Sequence, residues 1–271
     1  MPPYSDPGVN VYTTNLKFLP KVACALIFGA ILSACGGGGS GSSESPAATP
    51  SEAEGVYGGT ITGGASPEFQ LLLLPDGQYW SMYGRTTGGQ FLVSGFIQGT
   101  GTTSNGTFNS SDAKDFGLFP ATSGTISATY NTTAQTISGT STSAGGSATF
   151  SGGPIAGSLY NYKTTANLSA IAGNWSGSNT GGENVDLTVS AAGAVTATTS
   201  GGCNATGTAT PRPDARNVFT VALLQGNGCA LQGQTIRGIV LVYPLASGRT
   251  QLVGAVIDDA RTAGIAVFAN R

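Results

Sequence analysis

The sequence predicts an all-β protein: two tandem, related, small antiparallel β-barrels or sandwiches, behind an export segment and a flexible tether. Three observations predict it. Apolar residues recur with a period of two, turn dipeptides interrupt them at short intervals, and five blocks of the first half return in order in the second.

The first element is residues 1–34. Lys17 and Lys21 precede an apolar run from Val22 to Leu32, followed by small residues and Cys35. That is the layout of a secretory signal peptide. A run of about 11 residues is too short to cross a bilayer, which needs ~20. Gly36-Gly37-Gly38-Gly39 would end any helix at once. The first sixteen residues carry no Lys or Arg, so a translation start near Asn15-Leu16-Lys17 is a further expectation.

The second element, residues 35–54, is Gly, Ser, Ala and Pro with three glutamates and no apolar period. It reads as a flexible tether with a root-mean-square reach of roughly 25 Å.

The two folded halves are residues 55–153 and 167–271, joined by a linker over 154–166. Gly55-Val56-Tyr57-Gly58-Gly59 returns as Gly173-Asn174-Trp175-Ser176-Gly177, and the hairpin Leu74 to Tyr79 as Ser190 to Val195. Gly124 to Tyr130 returns as Gly238 to Tyr243, Ile137-Ser138-Gly139 as Leu252-Val253-Gly254, and Gly146 to Phe150 as Gly264 to Phe268. Each match alone is weak in a chain with 43 glycines, but five collinear blocks separated by 114 to 118 residues argue for a duplication.

Within the halves, Ile126, Ala128 and Tyr130 share one strand face. Val185, Leu187 and Val189 share another, and Val218, Thr220, Ala222 and Leu224 a third. Asp76-Gly77, Asn105-Gly106, Gly226-Asn227-Gly228 and Ser247-Gly248 supply the positive φ that tight hairpins require. Seven or eight strands per half suit a barrel, whose closure removes exposed edges. Gly95 and Gly99 inside a strand are expected to allow sharp bends. In the linker, Tyr160-Asn161-Tyr162-Lys163 is expected to pack against a barrel and hold the halves as a semi-rigid pair.

Composition narrows the chemistry. Charged residues are 9% of the chain, against roughly 25% in ordinary soluble domains. Cleavage before Cys35 removes Lys17, Lys21 and Asp6 and leaves 9 basic and 12 acidic residues. That balance gives no electrostatic footprint for nucleic acid. Histidine is absent, which removes the commonest general base and zinc ligand and excludes a conventional Ser-His-Asp triad. No cofactor and no metal site is expected. Cys24 leaves with the signal segment and Cys35, at the cleavage point, is set aside, so Cys203 and Cys229 remain and most simply form one disulfide in an oxidising compartment.

Few residues read as a reaction centre, and no catalytic residue is assigned. Asp258 and Asp259 are adjacent acids whose side chains would diverge on a strand, and they read as a solvated hairpin turn. Asp112, Lys114 and Asp115 read as a polar loop after Phe108. Glu183 and Asp186 lack the spacing of a calcium loop. Lys114 and Lys163 sit in no nucleophile motif. Tyr57 and Trp175 read as core packing. Tyr79, Trp80 and Tyr83 are the candidate ligand contacts, since three aromatics beside a turn are expected to leave a ring near solvent for carbohydrate or protein.

The run Leu32-Ser33-Ala34-Cys35 resembles the lipobox of bacterial lipoproteins. The resemblance implies a diacylglyceryl thioether on Cys35, cleavage before it, and acylation (palmitate-type) of the new amino terminus. No Asp follows Cys35, which implies the outer membrane, on its periplasmic face or the cell surface. With the glycine run and the barrel halves, the chain resembles Gram-negative surface lipoproteins, including the transferrin-binding-protein-B-like and factor-H-binding families. Gly173-x-Trp175 is similar to the opening motif of lipocalin-like barrels, in which the aromatic plugs the barrel floor.

The leading expectation is therefore a non-enzymatic outer-membrane lipoprotein that displays two β-barrels for binding or envelope structure. Its partners would be the membrane, through the anchor, and an unidentified protein or glycan. The alternatives are a periplasmic inhibitor of a protease or lysozyme, and a carboxylate-based enzyme acting on envelope glycans.

Overall fold

The computed structural model describes residues 51–117, 120–155, 157–245 and 247–271. The signal segment, Cys35 and most of the tether lie outside them. The described chain is almost wholly β, as the period of two requires, and both barrels belong to one compact unit.

The first barrel contains β1 (Gly55–Thr62), β2 (Glu68–Leu73), β3 (Gln78–Thr87), β4 (Gln90–Thr100), β6 (Thr107–Asp115), β7 (Thr122–Asn131), β8 (Thr136–Ser143) and β9 (Gly146–Gly153). These run up and down in ring order, and the pairs Ile97–Asp115 and Gln98–Lys114 close the ring between β4 and β6. The short β5 (Thr102–Ser104) pairs only with β6. Asp112, Lys114 and Asp115 thus lie on a strand and not in a loop. Their polarity misleads because β6 shifts register between Ser110 and Ala113, and a bulge leaves polar residues where a regular strand would alternate.

The second barrel is closed by β10 (Gly173–Asn179), β11 (Asn184–Val189), β12 (Ala194–Thr199), β13 (Asn204–Pro211), β14 (Phe219–Gln225), β15 (Thr235–Pro244), β16 (Thr250–Ile257) and β17 (Gly264–Asn270). One short helix, α1 (Leu168–Ile171), precedes it, with Asn167 as its N-cap accepting from Ser169 N.

The two floors are built alike. Tyr57 Oη donates to Ala53 O at 2.7 Å, and Trp175 Nε1 donates to Ile171 O at 2.8 Å, each four residues back along the chain. In both cases the segment before the first strand is folded under the barrel, with Ala53 and Ile171 buried. Arg271 stacks on Trp175 at 4.3 Å and donates to Ala170 O and Ala172 O, which ties the C-terminus to the same floor. The β2–β3 and β11–β12 turns also correspond. Gly77 (φ 79°) donates to Leu74 O, and Gly193 (φ 83°) to Ser190 O. The positive φ at these two glycines is the left-handed value their turns demand.

Gly95 and Gly99 serve a different purpose from bending. A Cβ at either would collide with the ring of Tyr83 or Tyr79, so these glycines make room for aromatics crossing the lumen. On β14 the inward face is Phe219, Val221 and Leu223. Its other face carries Thr220, Ala222 and the exposed Leu224, while Val218 is buried at the inter-barrel contact.

The barrels pack wall to wall. The outer faces of β2, β3 and β4 present Leu72, Trp80, Met82, Phe91 and Phe96, which meet Ile239, Leu241, Val253, Ala255 and Ala266 from β15, β16 and β17. Each of the larger aliphatic and phenyl side chains contributes about 1.5–3 kcal/mol relative to exposure. Gln251 is fully buried in this seam and both donates to Phe91 O (3.1 Å) and accepts from Phe91 N (3.4 Å). The linker tyrosines pack against both barrels. Tyr162 Oη reaches Leu73 O, while Tyr160 Oη donates to Asn217 O and its ring meets Tyr243 edge-on. Three ion pairs frame the seam: Glu54–Arg216 (2.6 Å), Asp76–Arg212 (3.1 Å) and Asp112–Arg261 (2.6 Å), with every cation on the second barrel.

Candidate functional site

Alternation on a strand sends Tyr79 and Tyr83 into the first barrel and Trp80 out of it. The three aromatics therefore do not form one contact surface near solvent. Tyr79 and Trp80 are buried, Trp80 in the inter-barrel seam, and only Tyr83 is half-buried. Tyr79 and Tyr83 line instead a cavity of about 400 Å³ in the upper half of the first barrel. This lies within the roughly 300–1,000 Å³ of small-molecule sites.

The cavity exists because inward positions on β6 to β9 are small. Ala113, Gly124, Ser141, Ser143 and Ala148 face the lumen there. Its lower wall is apolar, formed by Phe69, Leu71, Ile97, Phe108 and Ile126. Its rim is polar, with Thr122, Ser141, Ser143 and Ser147. Asp115 is the one carboxylate in the lining, held by Tyr83 Oη (2.7 Å) and Gly117 N (2.9 Å). Burial and the Asp115 hydrogen bond push the Tyr83 hydroxyl well above its ordinary range. Burial likewise pushes Tyr79 up to about 12, although its hydrogen bond with Ser110 Oγ (3.0 Å) pulls the other way. Both hydroxyls are thus neutral at neutral pH, and Tyr83 Oη donates to Asp115. The arrangement suits a small ligand with an apolar body and a polar head toward the rim.

The same level of the second barrel is filled. The inward pair Ser141–Ala148 has its counterpart in Val256–Ile265, each two residues beyond the matched Gly139 and Gly254. Val221, Ile236 and Val256 form a buried cluster there, with Leu231 and Ile265 packed on it. Leu231 comes from the loop between β14 and β15. That loop is stapled to the β12–β13 turn by the Cys203–Cys229 disulfide, which joins residues 26 apart. One barrel is a cup and the other is stoppered.

The remaining polar candidates are engaged elsewhere. Asp258 lies in the β16–β17 turn, but it is 5% exposed and not solvated. Its carboxylate accepts from Thr262 N (2.7 Å), Ala263 N (2.7 Å) and Thr262 Oγ1 (2.8 Å). Burial alone would raise its pKa, yet these bonds hold the carboxyl below the usual carboxylate range. Asp259 is exposed and pairs with Arg237. Asp186 accepts from Ser176 Oγ, Glu183 from Asn179 Nδ2, and Lys114 donates to Ser123 Oγ. Among the described residues, no three His, Cys, Asp or Glu side chains cluster as a metal site would require.

Sequence reasoning missed the small lumen residues Ser141, Ser143 and Ala148, since Ser and Gly abound throughout. The signal was present as alternation, because every second residue of β8 and β9 must face inward.

No family model matches the chain, and no curated protein matches it. Among solved structures it is similar to a DUF3598-family protein of unknown function from Nostoc punctiforme, at 12% identity and a TM-score of 0.25, over 80% of this chain and 94% of that one.

Proposed function

We propose that this chain is a non-enzymatic lipoprotein of the bacterial outer membrane, anchored through lipid on Cys35, whose first barrel binds a small amphipathic ligand. The observation that carries the binding role is the cavity of about 400 Å³ in the first barrel, where the second barrel is filled at the corresponding level. The anchor rests on the lipobox-like Leu32-Ser33-Ala34-Cys35 and the glycine run behind it. The binding role needs no reaction centre. In keeping with it, the acids of the barrels are taken up by arginines, hydroxyls and backbone donors.

The test is titration of the full chain with N-phenyl-1-naphthylamine, a neutral apolar fluorophore. One saturable site per chain is expected. Fluorescence that never saturates, or none at all, would overturn the binding role.

A further inference from the structure

A second cleft, of about 620 Å³, lies between the barrels, and it differs in chemistry from the lumen. The outer faces of β3 and β4 give it Gln78, Trp80 and Gln98, and the facing wall carries Thr208, Thr210 and Thr220. Arginines stand around it, but each is neutralised. Arg212 pairs with Asp76 and Asp214, Arg237 with Asp259, and Arg261 with Asp112. The cleft therefore has no free cation to attract a phosphate or carboxylate.

It does have buried hydrogen-bonding capacity left unused. Gln98 is 4% exposed, and its Oε1 has no partner. Arg261 is fixed by bonds from Nη1 to Asp112 Oδ1 and from Nη2 to Gln98 O and Asp112 O, while its buried Nε is unpartnered. An orphaned buried acceptor or donor costs about 1–3 kcal/mol. Here both residues line the same cleft, and hydroxyls are the groups that suit either atom, donating to Gln98 Oε1 or accepting from Arg261 Nε. Arg261 also holds φ 54°, a strained value for a non-glycine residue, maintained by the Asp258-ordered turn that carries it. Planar amides, a guanidinium, hydroxyls and an indole wall, with every arginine already paired to a carboxylate, are the chemistry of polyol recognition.

The geometry points to the inter-barrel cleft as a binding site for a neutral saccharide, distinct from the lumen of the first barrel and independent of the function proposed for it. Binding there would also span both barrels and hold their relative position.

The chain has two tryptophans, so its ¹H–¹⁵N spectrum carries two indole signals. Trp80 Nε1 donates to Gln78 Oε1 at the cleft (3.0 Å), and Trp175 lies in the floor of the second barrel. Maltotriose and chitotriose at millimolar concentration are the probes, with inorganic phosphate as the anionic control. At least one saccharide is expected to move the Trp80 signal saturably and leave Trp175 in place. Gln98→Met, which keeps the shape and removes Oε1, should weaken that binding by roughly three- to tenfold. Thr220→Val on the opposite wall should weaken it as well, and serves if the first variant fails to fold. An unmoved Trp80 with both saccharides would overturn the inference. So would unchanged affinity in the folded variants, or a response to phosphate alone.

Discussion

Replacing Ser141 by Val and Ala148 by Ile fills the first barrel as Val256 and Ile265 fill the second. Both positions face the lumen, pair directly across β8 and β9, and line the cavity. The double change adds five carbon atoms and removes one hydroxyl. At about 0.8 kcal/mol per buried methylene, the ceiling is about 4 kcal/mol. Both walls are only half-buried, because the cavity opens to solvent, so about 2 kcal/mol is the working figure. The variant is thus expected to unfold at a higher denaturant midpoint with an unchanged slope, while losing its uptake of N-phenyl-1-naphthylamine. Gain of stability with loss of binding is the signature of a cavity kept open for a ligand at the expense of packing. Equal or lower stability with full binding would refute the reasoning, since the lumen would then be neither spare volume nor the site.

Four further outcomes follow from the same geometry. Cys35→Ser should move the protein from the membrane to the soluble fraction on cell fractionation; continued sedimentation with membranes would contradict the anchor. Cys203→Ser with Cys229→Ser opens a loop of 26 residues, which should cost about 3.5 kcal/mol in chemical denaturation, and the unreduced wild type should show no free thiol at either position. Asp258 has a depressed folded pKa, so its stabilisation is full above the unfolded value of about 3.9 and fades as pH falls through the folded one. Asp258→Asn should lower stability by roughly 1–3 kcal/mol at pH 7 and flatten the acid limb of stability against pH. Gln251→Ala removes both bonds to the Phe91 backbone and leaves a cavity in the seam, so it should cost about 2–4 kcal/mol; a loss under about 0.5 kcal/mol would mean the barrels are not held there.

The all-β class and the two tandem related domains could be read from the sequence, though not whether each closes as a barrel, because each wall alternates and short Gly-containing turns recur between the strands. Four of the five repeated blocks fall on equivalent strands and share lumen-facing positions: Tyr57 with Trp175, Tyr79 with Val195, Ile126 with Val240, and Ile137 with Leu252. The fifth falls on equivalent strands one residue out of step. Phe150 pairs with Gly139 and faces the lumen, whereas Phe268 pairs with Val253 and faces the other barrel. Register could not be read there because β17 is buried on both faces, one inside its barrel and one in the seam. Such strands read as continuous apolar runs, and the alternation that fixes register disappears. Ile239 to Val242 is such a run for the same reason.

The three candidate aromatics do not share one surface, for a simpler reason. Tyr79 and Trp80 are neighbours on one strand and must diverge, so alternation alone separates them. The inter-barrel pairs Asp112–Arg261 and Glu54–Arg216 join residues 149 and 162 apart in sequence, and no local pattern marks them. The lumen itself left little trace, because a cavity is made by what is missing, and Ser, Gly and Ala at inward positions look like any others in this composition.

The most direct test of the account is native mass spectrometry of the full chain taken from its own membranes, alongside the Ser141→Val, Ala148→Ile variant prepared the same way. The account predicts acylated wild-type protein carrying a dissociable small molecule in one-to-one ratio, and an acylated variant without it. Identical spectra for the two, or wild-type protein bearing neither acyl mass nor bound molecule, would contradict it.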